Sequence, residues 1–276
     1  MRASTSKLLT VGVLLIGSGA AWAEPPPKAP PAAAIAASAS QEAAATKAGE
    51  RPGIQTITAA MDDLFRSTSS EGEMEMYIKT PDYERTMTMD MFSLGKKYSL
   101  IRITAPRKEV GTTTLKRENE MWNYVPKIRK TIRVPPSLMM GSWMGSDFTN
   151  DDLVKDASWE DDYSTEYAET HPDGQTCLIS APRPKAPVTW SKVVGCFETA
   201  SLLPIKQDFY DEKGKLVRTM AFSDVKEMGG KRIPAVMTLT PHGKPGNLTR
   251  VTYKRMKFDA GLKPSAFSLS AIRRSR

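Results

Sequence analysis

The sequence is poor in the residues from which most enzyme active sites are built. It contains two histidines, His171 and His242, and two cysteines in 276 residues. Each histidine stands beside a proline or a glycine in a predicted turn, and no HxxxH or Cys/His cluster offers ligands for a metal. GxSxG elbows, glycine-rich phosphate loops and dinucleotide-binding fingerprints are also missing. The sequence therefore predicts no enzymatic activity, no cofactor and no metal site.

Long apolar runs are scarce as well. One lies near the N-terminus, where two cations precede apolar residues 8–16 and an Ala-Trp-Ala cleavage signal ends at Ala23. This run is too short to span a bilayer well. We therefore expect a signal peptide over residues 1–23, cleaved after Ala23, and export to the periplasm. An uncleaved membrane anchor is the alternative.

The rest of the chain divides by composition. Residues 24–53 are rich in proline and alanine, which is typical of a disordered leader. Residues 54–276 form one domain of a length that is ordinary for a β-barrel or a β-sandwich. The net charge of +8 is a mild basic excess without a motif for nucleic-acid recognition. We expect no nucleic-acid partner.

The two cysteines fall in consecutive predicted strands. Cys177 lies in residues 176–181 and Cys196 in residues 190–197, with a proline-rich loop between the strands. Antiparallel pairing about that loop brings the two side chains close together. In an oxidising compartment, a structural cross-strand disulfide is favoured over two free thiols.

The hydrophobic period changes early in the domain. Residues 54–66 carry apolar side chains at helical spacing and predict an amphipathic helix. Beyond them the period is two, with short turns between about ten segments, which predicts one large antiparallel sheet. A sheet of that size curls. We therefore expect a mainly β fold, an unclosed antiparallel β-barrel with an α-helical cover.

Methionine is repeated on two of these strands. Met74, Met76, Met87, Met89 and Met91 share one parity and therefore one face of the sheet. Methionine suits irregular or changeable apolar contacts. Two interpretations remain open, an ordinary core packed against the predicted helix or the lining of a cavity that accepts acyl chains.

Residues 121–153 interrupt the regular pattern. A strand that carries Trp122 and Tyr124 is followed by a basic strand and a double proline. An apolar loop comes next, and then an acidic segment that is typical of a short helix. The large apolar side chains of the loop are Leu138, Met139, Met140, Trp143, Met144 and Phe148.

Two motifs in this stretch carry a family resemblance. The pattern M-W-x-Y-x-P occupies residues 121–126, and G-S-x-M-G-S-D-F occupies residues 141–148, followed by Asp152-Leu153. With them, the chain resembles the bacterial outer-membrane lipoprotein-sorting protein family, which is related to the periplasmic LolA carriers. The resemblance implies a LolA/LolB-like fold with a hydrophobic cavity for acyl chains, and RND-type membrane exporters as partners. The arginine with which LolA locks its lid has no match.

The leading hypothesis is a monomeric periplasmic carrier that binds acyl chains of lipids or lipoproteins and contacts membranes transiently. Its expected binding residues are Met74, Met76, Met87, Met89, Met91, Trp122, Tyr124, Met139, Met140, Trp143, Met144 and Phe148. Among them, Met139, Met140, Trp143 and Met144 are expected to act as a mobile lid, with Phe148 anchoring the loop inward. The alternative hypothesis is a non-enzymatic accessory protein that docks an RND-type exporter through the same loop.

Overall fold

The computed structural model describes residues 51–154, 159–186 and 188–273. The signal peptide predicted for residues 1–23 and nearly all of the leader predicted for residues 24–53 lie outside these ranges. None of the described helices combines the length and the apolar character needed to cross a membrane.

The described chain begins with helix α1, Ile54–Asp63, which buries Ile57 against the sheet residues Leu178 and Phe197. The sequence predicted that this helix continues to residue 66. It ends earlier because the amides of Leu64 and residue 66 bond to carbonyls three residues back, which tightens the last turn.

Thirteen strands follow in the described residues. In chain order they are β1 (Ser69–Lys79), β2 (Glu84–Leu94), β3 (Tyr98–Ala105), β4 (Thr113–Arg117), β5 (Glu120–Val125), β6 (Lys130–Arg133), β7 (Tyr163–Tyr167), β8 (Gln175–Pro182), β9 (Lys192–Glu198), β10 (Pro204–Tyr210), β11 (Leu216–Met228), β12 (Lys231–Pro241) and β13 (Leu248–Phe258).

All of these strands belong to one sheet, in the order β6-β5-β4-β3-β2-β1-β13-β12-β11-β10-β9-β8-β7. Each strand runs antiparallel to its neighbours, and β6 and β7 are the two outer strands. The first and last strands pair with each other in the middle of the sheet. The predicted mainly β fold with an unclosed antiparallel sheet is therefore confirmed.

The predicted methionine parity is visible in the register of the central strands. Met74 lies opposite Met89, and Met76 lies opposite Met87. All four are buried in the main core cluster, because alternate residues of a strand point to the same face. We call this the inner face of the sheet. Glu75 between them points outward and pairs with a lysine of β13.

A bulge marks the seam between β1 and β13. The register shifts between Glu73 and Met74, next to Gly72. A Cβ atom at Gly72 would lie 2.5 Å from the carbonyl oxygen of Arg255 and 2.5 Å from the sulfur of Met256. Glycine is required here because the two backbones approach too closely for any side chain.

Residues 135–154, which we call the cover segment, separate β6 from β7. They contain a short 3-10 turn, Pro136–Leu138, and helix α2, Asn150–Val154. Thr149 and Asp152 cap α2 reciprocally: the Thr149 amide donates to Asp152 Oδ2 at 2.8 Å, and the Asp152 amide donates to Thr149 Oγ1 at 3.1 Å. The predicted short helix from residue 149 or 150 is present.

The opposite face of β3 to β5 is covered by the C-terminal segment. Two 3-10 turns, Pro264–Phe267 and Ala271–Arg273, bury Phe267 and Ile272 against Leu100 and Leu115. The chain thus forms a second apolar layer outside the sheet.

Cys177 and Cys196 lie directly opposite each other on β8 and β9. Their sulfurs are 2.04 Å apart and form a disulfide. Both residues are buried, so the cross-link fixes the register of these two strands from within the fold.

Candidate functional site

A cavity of about 370 Å³ lies against the inner face, between α1 and the cover segment. Its volume falls in the lower part of the range of about 300–1,000 Å³ that is usual for small-molecule sites. The residues around it are mostly apolar and come from both halves of the sheet. The wall thus offers an apolar ligand a large contact area, with charged and polar side chains at a minority of positions.

Methionines from five elements contribute to the wall. They are Met61, Met74, Met76, Met91, Met220 and Met237. Because the methionine side chain is unbranched and has three rotatable bonds, a wall of this kind adjusts to occupants of different shape.

Three aromatic pairs complete the apolar lining. Phe65 stacks on Tyr253 with 4.9 Å between the ring centroids, and Trp159 stacks on Tyr163 at 5.5 Å. Trp190 meets Phe209 edge to face. Burial raises the pKa of Tyr163 to about 12, so its hydroxyl stays neutral.

The cover segment supplies the next part of the wall through Trp143 and Phe148. Trp143 is only 2% exposed. Its indole Nε1 donates to Thr114 Oγ1 on β4 at 3.1 Å, and Thr114 donates in turn to Asn123 on β5. A large ring with a satisfied polar atom is thereby fixed between the cover segment and the sheet.

A buried ion pair ties α2 to the other half of the sheet. Arg218 on β11 donates two hydrogen bonds to the Asp152 carboxylate, at 2.7 and 2.6 Å. The guanidinium lies over the rings of Trp190 and Phe209. Burial acts to raise the pKa of Asp152, but Arg218 and the Thr149 donors outweigh it and hold that pKa below the ordinary value.

Three further hydrogen bonds fasten the centre of the cover segment. Thr249 on β13 donates to the Asp147 carboxylate at 2.8 Å. Arg85 donates to the carbonyl of Met144 at 3.2 Å, and the Tyr83 hydroxyl donates to the carbonyl of Gly145 at 3.0 Å. Residues 142–154 are therefore held at several points, on β2, β4, β11, β13 and the turn before β2.

Two opposite charges lie at one side of the cavity. Arg66, just after α1, lines it together with Asp62. Burial lowers the pKa of Arg66, and Asp62 opposes this shift. Deeper in the fold, the Lys116 amine donates to the carbonyl of Lys96 at 2.8 Å. Burial lowers the pKa of Lys116 to about 7, and Arg66 acts in the same direction.

The structure brings together only part of the residues proposed from the sequence. Met74, Met76, Met91, Trp143 and Phe148 line the cavity. Met87 and Met89 are fully buried in the core cluster beside it.

The remaining loop methionines do not line the cavity. Met139 and Met144 are half-buried and pack on the edge of the main core cluster. Met140 is 54% exposed.

Trp122 and Tyr124 are placed differently from the expectation. Both pack with Leu100, Leu115 and Phe267 on the opposite face of the sheet. The reason is strand parity, because Met121 points into the main core and its neighbour must point away. Trp122 and Tyr124 therefore lie on the face opposite the methionines and do not line the cavity.

Sequence reasoning missed several lining residues. Met220 and Met237 repeat the methionine pattern on β11 and β12, so their parity could have been read in the same way. The Arg218–Asp152 pair joins positions 66 residues apart, and no local pattern indicates it. Among the residues that the structure describes, no group of three His, Cys, Asp or Glu side chains is placed to hold a metal ion.

Comparisons with known proteins agree with this architecture. A family model for an uncharacterized protein family matches residues 95–274. A crystal structure of a DUF1329 family protein from Desulfovibrio piger is 26% identical, with a TM-score of 0.70, and the match covers 78% of this chain and 96% of that one.

Two further solved structures are similar. A putative outer membrane lipoprotein-sorting protein domain from Vibrio parahaemolyticus is 25% identical, with a TM-score of 0.68 and coverage of 80% and 97% of the two chains. A LolA superfamily protein from Nitrosomonas europaea shares the fold at 21% identity, with a TM-score of 0.65 and coverage of 78% and 97%.

No functionally curated protein sequence matches the chain. The family model nevertheless spans well over half of it, including the cover segment and most of the cavity wall. The fold, the motifs of the cover segment and these matches agree: the chain belongs to the DUF1329-like family of uncharacterized proteins, and its fold is that of the LolA-like structures it resembles.

Proposed function

We propose that this protein is a periplasmic, non-enzymatic carrier that holds an acyl chain of a lipid or lipoprotein in its cavity. The observation that carries the proposal is the apolar cavity of about 370 Å³ beneath the cover segment. An acyl chain offers no polar group along its length, so it needs a wall that excludes water and asks for no hydrogen bonds.

The composition of the wall supports this class of ligand over a rigid one. A cavity for a single flat cofactor would be served by rigid, branched side chains that fix one shape. Here methionines come from α1, β1, β2, β11 and β12, and they can change rotamer as chains of different length or unsaturation enter.

The free energy of burying methylene groups favours long acyl chains as ligands. Burying one methylene group is worth about 0.8 kcal/mol, which is roughly a fourfold gain in affinity. Association itself costs several kcal/mol in lost freedom. Short acids therefore bind weakly, and affinity rises with each carbon until the cavity is full.

Two further observations support the setting of the proposal. The relative from Vibrio parahaemolyticus is itself described as a putative lipoprotein-sorting domain. The Cys177–Cys196 disulfide is of a kind that persists in oxidising compartments such as the periplasm.

A chain-length series tests the proposal. Saturated fatty acids of increasing length compete with a fluorescent fatty acid for the purified protein, and dissociation constants are measured. We expect a gain of roughly fourfold per methylene, followed by a plateau at the length that fills the cavity. Affinity that is absent, or independent of chain length, contradicts a carrier for acyl chains.

A variant pair locates the binding. Ser99 on β3 lines the cavity and is half-buried, so Ser99→Phe places a ring in the space, whereas Ser99→Ala leaves it open. We expect Ser99→Phe to move the plateau to shorter chains and to weaken the longest ones at least about tenfold. Ser99→Ala should bind as the unmodified protein does. Equal binding curves for the two variants would place the ligand elsewhere.

A further inference from the structure

Two hairpin turns lie side by side at one end of the sheet. The turn between β3 and β4 spans residues 106–112, and the turn between β5 and β6 contains the 3-10 turn Pro126–Ile128. Gly111 has a φ of +83°, and a Cβ atom there would lie 3.1 Å from Cγ of Pro126. The two turns are thus in contact, and they form one surface that we call the paired tips.

Each tip exposes one large aliphatic side chain. Val110 is 49% exposed and Ile128 is 55% exposed. Isolated apolar residues on a surface are ordinary. Here, however, two of them stand at the ends of neighbouring hairpins, where a flat partner can reach both at once.

Five exposed cations lie close in sequence to these aliphatic residues. They are Arg107, Lys108, Lys127, Arg129 and Lys130. Within residues 106–112 and 126–130 the single acidic residue is Glu109, and it is ion-paired with Arg85. The paired tips therefore carry a concentrated positive charge that this carboxylate offsets only in part.

We propose that the paired tips are a docking surface for an anionic lipid bilayer. Aliphatic side chains flanked by lysine and arginine match the boundary between acyl chains and headgroups, because the apolar groups enter and the cations stay at the phosphates. Each cation near such a surface strengthens binding by about fivefold. An acidic protein surface would pair with the cations but would offer Val110 and Ile128 no apolar contact.

The position of the surface gives docking a consequence. Arg85 pairs with Glu109 in one tip and donates to the carbonyl of Met144 in the cover segment at 3.2 Å. A bilayer at the paired tips would therefore lie next to the cover of the cavity. The inference goes beyond acyl binding, since it concerns where the protein meets a membrane.

Vesicle flotation tests it with the purified protein and no added cargo. Vesicles of phosphatidylethanolamine and phosphatidylglycerol should carry the protein upward, whereas vesicles of phosphatidylcholine should not, and salt should weaken the binding because it screens the cations. Absence of flotation with the anionic vesicles overturns the proposal and leaves an acidic protein as the partner of this surface.

Variants assign the effect to the paired tips. Lys127→Glu with Arg129→Glu should reduce flotation at least about tenfold, since two attractive charges are lost and two repulsive ones are added. The matched control, Lys97→Glu with Lys263→Glu, makes the same charge change at two exposed lysines toward the opposite end of the sheet. An equal loss of flotation in the two double variants would show that binding depends only on the net charge of the protein, and would overturn the proposal.

A second pair of substitutions tests the apolar contribution. Val110→Ser with Ile128→Ser keeps every charge and should still reduce flotation severalfold. Unchanged flotation would show that binding depends on charge alone. It would contradict a docking surface in which Val110 and Ile128 enter the bilayer. All variants should retain their melting temperature and their fatty-acid affinity, which separates this result from the outcome for the cavity.

Discussion

The two parts of the cover segment are held in opposite ways. Residues 135–141, which we call the arm, expose Leu138 and Met140 to 57% and 54%. Hydrogen bonds of the arm run to Asn150 and Asp151 at the start of α2. Residues 142–154, which we call the anchored part, bury Trp143 and bond to β2, β4, β11 and β13.

This difference indicates which part of the cover segment can open as a lid. Segments open locally where few apolar groups are buried and few hydrogen bonds are lost. Motion of the cover segment is therefore expected in the arm, which contains Met139 and Met140. Trp143 and Met144 belong to the anchored part. We therefore expect Met139 and Met140 to move as a lid, and Trp143 and Met144 to stay in place.

The largest effect is expected from removing the anchor. Trp143→Ala should lower the free energy of unfolding by about 3–5 kcal/mol, because a fully buried ring is replaced by a cavity. Urea denaturation measures the change. Trp143→Phe is the control: it keeps most of the ring and loses the hydrogen bond to Thr114, for a cost of about 1 kcal/mol beyond any change in packing. A loss below 1 kcal/mol for Trp143→Ala would show that the anchored part is as loose as the arm.

Breaking the ion pair should come next. Asp152→Asn leaves Arg218 buried without its charge partner and should cost about 2–3 kcal/mol. This is less than for a fully buried pair, because the Asp152 side chain keeps 17% of its exposure. Asp151→Asn on the same helix is the comparison, since it leaves the Arg218 pair intact.

The same pair predicts a pH dependence. The pKa of Asp152 is lowered in the folded state, so the unfolded chain takes up the proton first as the pH falls. The stabilisation is complete above the ordinary aspartate value of about 3.9, and it is lost as the pH falls through the lower folded value. The stability difference between the unmodified protein and Asp152→Asn should therefore shrink below about pH 4. A difference that stays constant in acid contradicts a charged pair.

The smallest effect is expected in the arm. Leu138→Ser and Met140→Ser should each change the free energy of unfolding by less than about 0.5 kcal/mol, because more than half of each residue is already exposed. Amide hydrogen exchange sharpens the comparison: residues 135–141 should exchange faster than residues 142–154. Equal protection of the two parts would mean that the cover segment opens as a unit or not at all.

Local patterns were enough to predict much of the fold. Alternation places every second side chain on one face whatever the strand pairs with, so Met74 and Met76 were assigned to the inner face correctly. The cysteines were close in sequence across a single loop, which made their pairing predictable. The motif of residues 141–148 was sufficient to indicate the family resemblance.

What escaped prediction depends on distant parts of the chain. The Arg218–Asp152 pair and the joining of β1 to β13 require the complete topology. The misplaced rings are a different case. Trp122 and Tyr124 were grouped with the methionines by apolar character, although the parity of Met121 already assigns them to the opposite face.

The seam between β1 and β13 has a consequence for folding. Ser70 pairs with Phe258 and Ile78 with Thr249, so the middle of the sheet forms only when nearly all of the chain is available. Contacts of such long range are slow to form. Until the last strand arrives, β1 has an unpaired edge that other strands can join. For the export that we propose, late pairing of β1 with β13 keeps the chain longer in the unfolded form that a translocation channel accepts.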